Sequence, residues 1–192
     1  MSNQPFNIHI GIAAPLIRDN IDTDQIIPSR EMKSVSKTGL SDGMFAGERY
    51  ISGREPNPDF VLNKTEYADA TILLTGQNFG CGSSREHAVW ALKEYGFRAI
   101  IAQSFGEIFY NNCVRNGILP IILKAKDIAG LPHQLTIDLP NQTIGGLSFD
   151  ISAGDKAMLV DGLDMIAQTL DHEAEIELFL EKDKSDRPWI YC

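Results

Sequence analysis

Cysteine is scarce in this chain: Cys81, Cys113 and Cys192 are odd in number and far apart, and neither CxxC nor HExxH spacing occurs. That excludes a disulfide framework and suits a reducing compartment. It also argues against a metal or iron–sulfur site made by this chain alone, because the four histidines (His9, His87, His133, His172) are scattered too. Basic residues are few: 17 Lys and Arg against 26 Asp and Glu leave a formal charge of −9. Nucleic acid and anionic membrane surfaces need a basic footprint, so neither is expected as a partner. No apolar stretch approaches membrane-spanning length. The start, Met1-Ser2-Asn3-Gln4-Pro5, lacks the charged and apolar regions of a signal peptide. A cytoplasmic location is therefore expected. An anionic small substrate would need a local cationic site, since the overall field repels it.

What remains is ordinary for a globular protein. At 192 residues, with 43% hydrophobic and 22% charged, the chain fits one domain with a real core. Ile8, Ile10 and Ile12 alternate, which reads as a half-buried strand. A polar turn, Arg18 to Asp24, follows, and residues 29 to 59 read as a long loop with one helical turn around Lys33 to Leu40. From residue 70 the pattern becomes regular. Strands are expected at 70–75, 98–102 and 118–123, with one helix from Ser84 to Tyr95, closed by Gly96, and a second toward Gly117, opened by a capping box of Ser104 and Glu107. Pro120 belongs at the start of its strand or on a sheet edge. Alternating strands and helices in short units imply parallel pairing, with substrates held outside the carboxyl ends of the strands. Residues 135–139 and 147–151 suggest a β-hairpin, and 162–182 a helix with a solvated acidic face.

The chemistry concentrates in Gly76-Gln77-Asn78-Phe79-Gly80-Cys81-Gly82-Ser83-Ser84-Arg85-Glu86-His87. A strand leads into a glycine-rich turn and then a helix start, a combination suited to a small anion. Ser83 and Glu86 have capping-box spacing, which would place the Ser83 hydroxyl at the helix mouth. Arg85 would then occupy the first helical turn, where the macrodipole disfavours a cation. Such a broken local rule beside a glycine turn points to a site. A purely structural turn, with Arg85 on a surface carboxylate, accounts for the same residues less completely.

Gly80 to His87, Arg98-Ala99-Ile100-Ile101-Ala102-Gln103-Ser104-Phe105, Asn111 to Pro120, and Asp22-Thr23-Asp24-Gln25-Ile26-Ile27-Pro28 together resemble the swivelling domain of the aconitase superfamily. Within it the likeness is to the isopropylmalate isomerase small subunits of leucine biosynthesis. The resemblance implies an α/β swivelling domain of β/β/α type. It would have a mainly parallel βαβαβ core over about 1–125 and an extension of hairpin and helices over about 130–192. It implies a hydro-lyase that interconverts 2- and 3-isopropylmalate by dehydration and rehydration. By motif position Ser83 matches the base, Ser84 and Arg85 match substrate-contacting residues, and Asp24 matches an acidic residue of the same site. A [4Fe–4S] cluster is implied in a separate large subunit, not in this chain, so a heterodimer or heterotetramer is expected and the chain alone should be inactive.

The likeness is loose at one point. In the relatives an arginine after the Asp-Thr-Asp-Gln segment reads a distal carboxylate. This chain offers Arg30 and Lys33 there, among Met32, Val35, Leu40, Met44 and Phe45, a setting suited to a branched alkyl group. Methylmalate, dimethylmalate or homocitrate-type acids stay open as substrates. Two other readings also stay open: a non-catalytic anion-binding module on the same turn, which lacks both common phosphate fingerprints, and a nucleophilic Cys81 with His87 as its base.

Overall fold

Seven strands form one sheet: β1 (Ile8–Leu16), β2 (Ala70–Thr75), β3 (Ala99–Ala102), β4 (Leu119–Ile122), β5 (Gln134–Asp138), β6 (Thr143–Ile144) and β7 (Leu147–Ser148). Their order is β4-β3-β2-β1-β5-β6-β7. The computed structural model describes residues 3–32, 36–163, 167, 169–170 and 172–191. Pairing is parallel from β1 through β4 and antiparallel from β1 through β7 by way of β5 and β6. The parallel half is built by α3 (Glu86–Tyr95) and α4 (Glu107–Arg115), each crossing between neighbouring strands; α1 (Thr23–Ile26) and α2 (Ala46–Arg49) precede them in the long β1–β2 connection. The expected mixed α/β architecture with a mainly parallel core is what the chain adopts.

Side-chain alternation along these strands divides the core between two clusters. Leu73, Ile100 and Ala102 face the first, where α3 contributes Ala88, Val89, Ala91 and Leu92 and the β1–β2 connection contributes Ile26, Ile27, Met44 and Phe45. Ile72, Leu74, Ala99, Ile101 and Ile121 face the second, covered by Ile128 of α5 (Ala125–Ala129) and Leu159 of α6 (Ala153–Asp161). Strands buried on both faces read as continuous apolar runs, which is why 70–75 and 99–102 stand out in the sequence. Each large aliphatic side chain so buried contributes about 1.5–3 kcal/mol. Pro120 lies on β4, the outermost strand, where a missing N–H leaves no gap in the ladder.

Several local expectations are corrected. The alternating isoleucines of β1 do mark a strand, but Ile8 and Ile10 point outward, 64% and 60% exposed. The long connection is organised on either side of the expected turn: residues 36–40 hold no helical turn, 33–35 lie outside the described residues, and short turns fall instead at Ser29–Glu31, Ser41–Gly43 and α2. The single hairpin becomes a meander. Ile137 of β5 pairs with Ile144, and β6 then reverses onto β7 through Gly145 and Gly146. Both glycines have positive φ (54° and 84°), the requirement of a two-residue hairpin turn, so the Gly-Gly pair was the stronger signal. The C-terminal helix α7 runs Glu173–Asp186, exposed except at Asp183, while part of the expected 162–182 span lies outside the described residues. Among the described residues no helix is long and apolar enough to cross a membrane.

The loop that carries the first core cluster is held at one point by a carboxylate. Glu94 on α3 accepts the backbone N–H groups of Gly39, Leu40 and Ser41 at 2.6, 2.6 and 2.8 Å. Burial acts to raise this carboxyl, but the three donors outweigh it and hold it below its ordinary value. A depressed native value means the stabilisation is complete above the unfolded carboxylate range, near 4.3, and fades as pH falls through the native value. Glu94→Ala is expected to cost about 1–2 kcal/mol at neutral pH. In denaturant titrations its deficit relative to wild type should shrink toward zero as the pH is lowered below about 4.

Candidate active site

Three segments converge beyond the carboxyl ends of β1, β2 and β3. The first carries Ile21 to Ser29, the second Gly76 to Arg85, and the third Ser104 to Gly106. Backbone hydrogen bonds lace them together: Gly80 N–H to Ile21 O (2.7 Å), Thr23 N–H to Cys81 O (3.0 Å), Phe79 N–H to Ser104 O (3.0 Å) and Gly106 N–H to Phe79 O (2.9 Å). Isolated parallel bridges join Asp22 to Cys81 and Phe79 to Phe105. The turn is thus a continuation of sheet pairing past the ends of the strands. Under it, Phe79 and Phe109 meet edge to face at 5.3 Å, and Phe105 stands edge-on to Phe79 at 6.4 Å. Gly80 lies directly on this aromatic floor.

The two capping boxes expected from spacing are absent. α3 begins at Glu86 with Arg85 as its N-cap and no side-chain cap. Glu86 does not reach back; its carboxylate accepts Asn116 Nδ2 at 2.8 Å. Ser83 is on the exposed loop before the helix, so the helix start is further from its hydroxyl than expected, and Arg85 precedes the helix instead of sitting in its first turn. α4 likewise begins after Gly106, and Ser104 Oγ accepts Asn78 N–H at 2.8 Å. Tertiary partners outcompete the local ones in both cases.

The Ser83 side chain meets Thr23. Their hydroxyls are 3.1 Å apart, and Thr23 Oγ1 is 3.2 Å from Ser83 O. Arg85 N–H donates to the same carbonyl at 2.8 Å. The Arg85 guanidinium pairs with Asp24 Oδ1, and Ser29 Oγ donates to that oxygen at 3.2 Å. The Arg85 bond holds the Asp24 carboxyl below its ordinary value, against a smaller opposing effect of burial. Asp24 therefore faces the guanidinium as a carboxylate at neutral pH. Asp22 is spent on local structure: it accepts Gln25 N–H at 2.7 Å while Gln25 Oε1 accepts Asp22 N–H at 3.1 Å, a reciprocal cap of α1.

Beside Asp24 opens a shallow cleft of about 530 Å³, lined by Asp22, Asp24, Gln25, Ser29, Arg30 and Glu48 among others. Of the residues singled out from sequence, Ser83, Arg85 and Asp24 come together through these contacts. Ser84 is exposed on the same loop. Arg30 lines the cleft, with its Nε 3.5 Å from Glu31 Oε1. Lys33 lies outside the described residues. Thr23, buried to 1% exposure, was overlooked. Its only mark in the sequence is its place between two aspartates, which draw attention to themselves.

Cys113 is sealed in the first core cluster, where burial pushes its thiol well above the ordinary range. Cys81 is half-buried and bridges backbone to backbone with Asp22. Among the described residues no three His, Cys, Asp or Glu side chains come together to hold a metal ion. The donor set of the described residues does not fit an iron–sulfur cluster. His87 rests its ring 4.7 Å from that of Trp90.

Residues 3–126 match the aconitase C-terminal domain family. The chain is 53% identical to the 3-isopropylmalate dehydratase small subunit of Cupriavidus necator, covering 98% of each chain. It is 48% identical to the protein of that name from Dinoroseobacter shibae, covering 94% of this chain and 96% of the relative. The crystal structure of 3-isopropylmalate dehydratase (leuD) from Methanocaldococcus jannaschii superposes with a TM-score of 0.64 at 28% identity, over 92% of this chain and 99% of that one. Full-length coverage at this identity, on the fold and turn just described, places the chain in the 3-isopropylmalate dehydratase small-subunit family, built on the aconitase C-terminal domain.

Proposed function

We propose that this chain is the small subunit of a heteromeric hydro-lyase that interconverts 2- and 3-isopropylmalate in leucine biosynthesis. A large subunit is the proposed holder of the [4Fe–4S] cluster, in a heterodimer or heterotetramer, and the complete site forms only between the two. The observation that carries the reading is the convergence of Ser83, Arg85 and Asp24 on an open edge of the sheet. A surface this open suits half of a site.

Ser83 is the proposed base. As an alkoxide its oxygen takes the proton from the carbon next to a substrate carboxylate; the C–H electron pair becomes the alkene bond as the hydroxyl departs from the neighbouring carbon with the C–O pair, a departure that the large subunit's cluster would assist as a Lewis acid. Rehydration in the other sense returns that proton from Ser83. Arg85 presents a planar guanidinium that a carboxylate can engage bidentately, which orients the C–H bond toward the serine. Arg85 is held by Asp24 until a substrate carboxylate competes for it. Arg30 and Lys33 are the proposed cations for a second carboxylate, Ser84 a further substrate contact. Against a net charge of −9, these local cations are what admits a dianion.

Reconstitution with the large subunit tests the proposal. The isolated chain is expected to show no dehydratase activity, and the complex is expected to interconvert the two isopropylmalates. Activity of the isolated chain, or a clear preference of the complex for methylmalate, dimethylmalate or homocitrate, would overturn it.

A further inference from the structure

We infer that Thr23 is a positioning residue for the reaction: its buried hydroxyl sets where the Ser83 proton lies at rest and turns to hold the Ser83 oxygen once that proton has gone. The inference rests on Ser83 as base. Thr23 Oγ1 lies 3.1 Å from Ser83 Oγ and 3.2 Å from Ser83 O, and it has one proton to give. Ser83 O can only accept. When Thr23 donates to that carbonyl, the contact between the hydroxyls is satisfied only by Ser83 donating to Thr23 Oγ1. The resting Ser83 proton is thereby directed inward, and the remaining lone pairs of its oxygen face the open side of the loop.

Loss of the Ser83 proton, which the hydroxyl turns outward and releases to solvent water at the exposed loop, reverses the preference. A charged oxygen is a much stronger acceptor than an amide carbonyl. A rotation about the Thr23 Cβ–Oγ1 bond moves its proton from Ser83 O to Ser83 Oγ, with no heavy atom displaced. The carbonyl is not left bare, because Arg85 N–H already donates to it at 2.8 Å. Thr23 thus supplies a donor to the alkoxide from a fixed, dry position, the arrangement that gives a hydrogen bond its greatest effect on a developing charge. The position is fixed by tertiary contacts: Thr23 N–H is bonded to Cys81 O, and the side chain is 1% exposed. The chargeable groups on the two segments that carry the hydroxyl pair are Asp22 and Asp24, which flank Thr23 in sequence, and Cys81, Arg85 and Glu86, within three positions of Ser83.

The test uses the reconstituted two-subunit enzyme in five forms: wild type, Ser83→Ala, Thr23→Val, Thr23→Ser and the Ser83→Ala/Thr23→Val double variant. Thr23→Val keeps the shape and deletes the donor. It is expected to lower kcat by about 100-fold with KM little changed. The acid limb of its kcat–pH profile should move upward, because the base is harder to deprotonate. Thr23→Ser should restore both. In a Ser83→Ala background Thr23→Val should cause no further loss. If Thr23→Val fails to assemble, Thr23→Cys, a weaker donor of similar size, should show the same movement in smaller measure, and a wild-type rate and profile there would overturn the inference. A wild-type rate in Thr23→Val with Ser83→Ala inactive would sink Thr23 alone. Loss of rate in Thr23→Val with an unmoved pH profile, or no rescue by Thr23→Ser, would reduce Thr23 to a packing residue. Full activity of Ser83→Ala would remove the base itself and this inference with it.

Discussion

Ser83→Ala in the two-subunit enzyme is expected to lower kcat by three orders of magnitude or more while leaving substrate affinity within a few-fold of wild type. The split follows from where the side chain sits. On the proposed roles, removing one hydroxyl from an exposed loop deletes the base and leaves Arg85 and Arg30, the proposed cations for the substrate carboxylates, in place. Fold and assembly should survive, because the substitution breaks the hydroxyl pair with Thr23 while backbone bonds continue to tie the turn. Stopped assays of isopropylmalate interconversion, together with substrate binding by calorimetry, separate the two quantities. Equal losses in kcat and affinity would make Ser83 a binding residue. Full activity would mean that the proton goes elsewhere.

The largest effect on stability is expected at Gly80. Its φ is +72°, which an L side chain rarely adopts, and an added Cβ would lie 2.1 Å from Phe109 Cγ and 2.5 Å from both Cδ atoms. The ring cannot retreat: Phe109 is 3% exposed and packed edge-on against Phe79, which is fully buried. Left-handed backbone strain costs about 1 kcal/mol and overpacking a further 1–3. Gly80→Ala should therefore lose about 2–4 kcal/mol, which for a domain of this size lowers Tm by very roughly 5–15 °C. The same change lifts the turn off its aromatic floor and carries Cys81 to Arg85 with it. Activity should fall even at temperatures where the variant is folded. A melting point within a degree of wild type, by differential scanning calorimetry, would show that the floor yields more readily than its packing suggests.

The parts of the fold readable in advance are those whose signal is local. β2 matches the apolar run 70–75 at both ends. α3 ends where Gly96 predicts, its N–H bonding back to Leu92 and Lys93 carbonyls. The misreadings share one cause. Ser83 with Glu86 and Ser104 with Glu107 have the spacing of capping boxes, but spacing offers only one of the partners available after folding. Glu86 is claimed by Asn116, 30 positions away, and the Ser104 oxygen by the Asn78 N–H, 26 positions back. Ile8 and Ile10 mislead in another way. Alternation specifies that a strand has two faces, and the helices and connections packed against the sheet decide which face is covered.

For the site, the sequence by itself determined the chemistry on offer: an apolar strand, three glycines, then two serines and an arginine, with an acidic turn elsewhere and a net charge of −9 against which an anion needs a local cationic site. Those identities are local and survive any arrangement of the chain. Only the tertiary structure decided who meets whom: that Arg85 turns to Asp24 and not to Ser83, and that the Ser83 hydroxyl is paired with a buried Thr23. Each of these contacts spans about sixty residues. They exist because parallel pairing of β1 with β2 brings the ends of both strands to one edge of the sheet, a proximity that side-chain order along a chain cannot express.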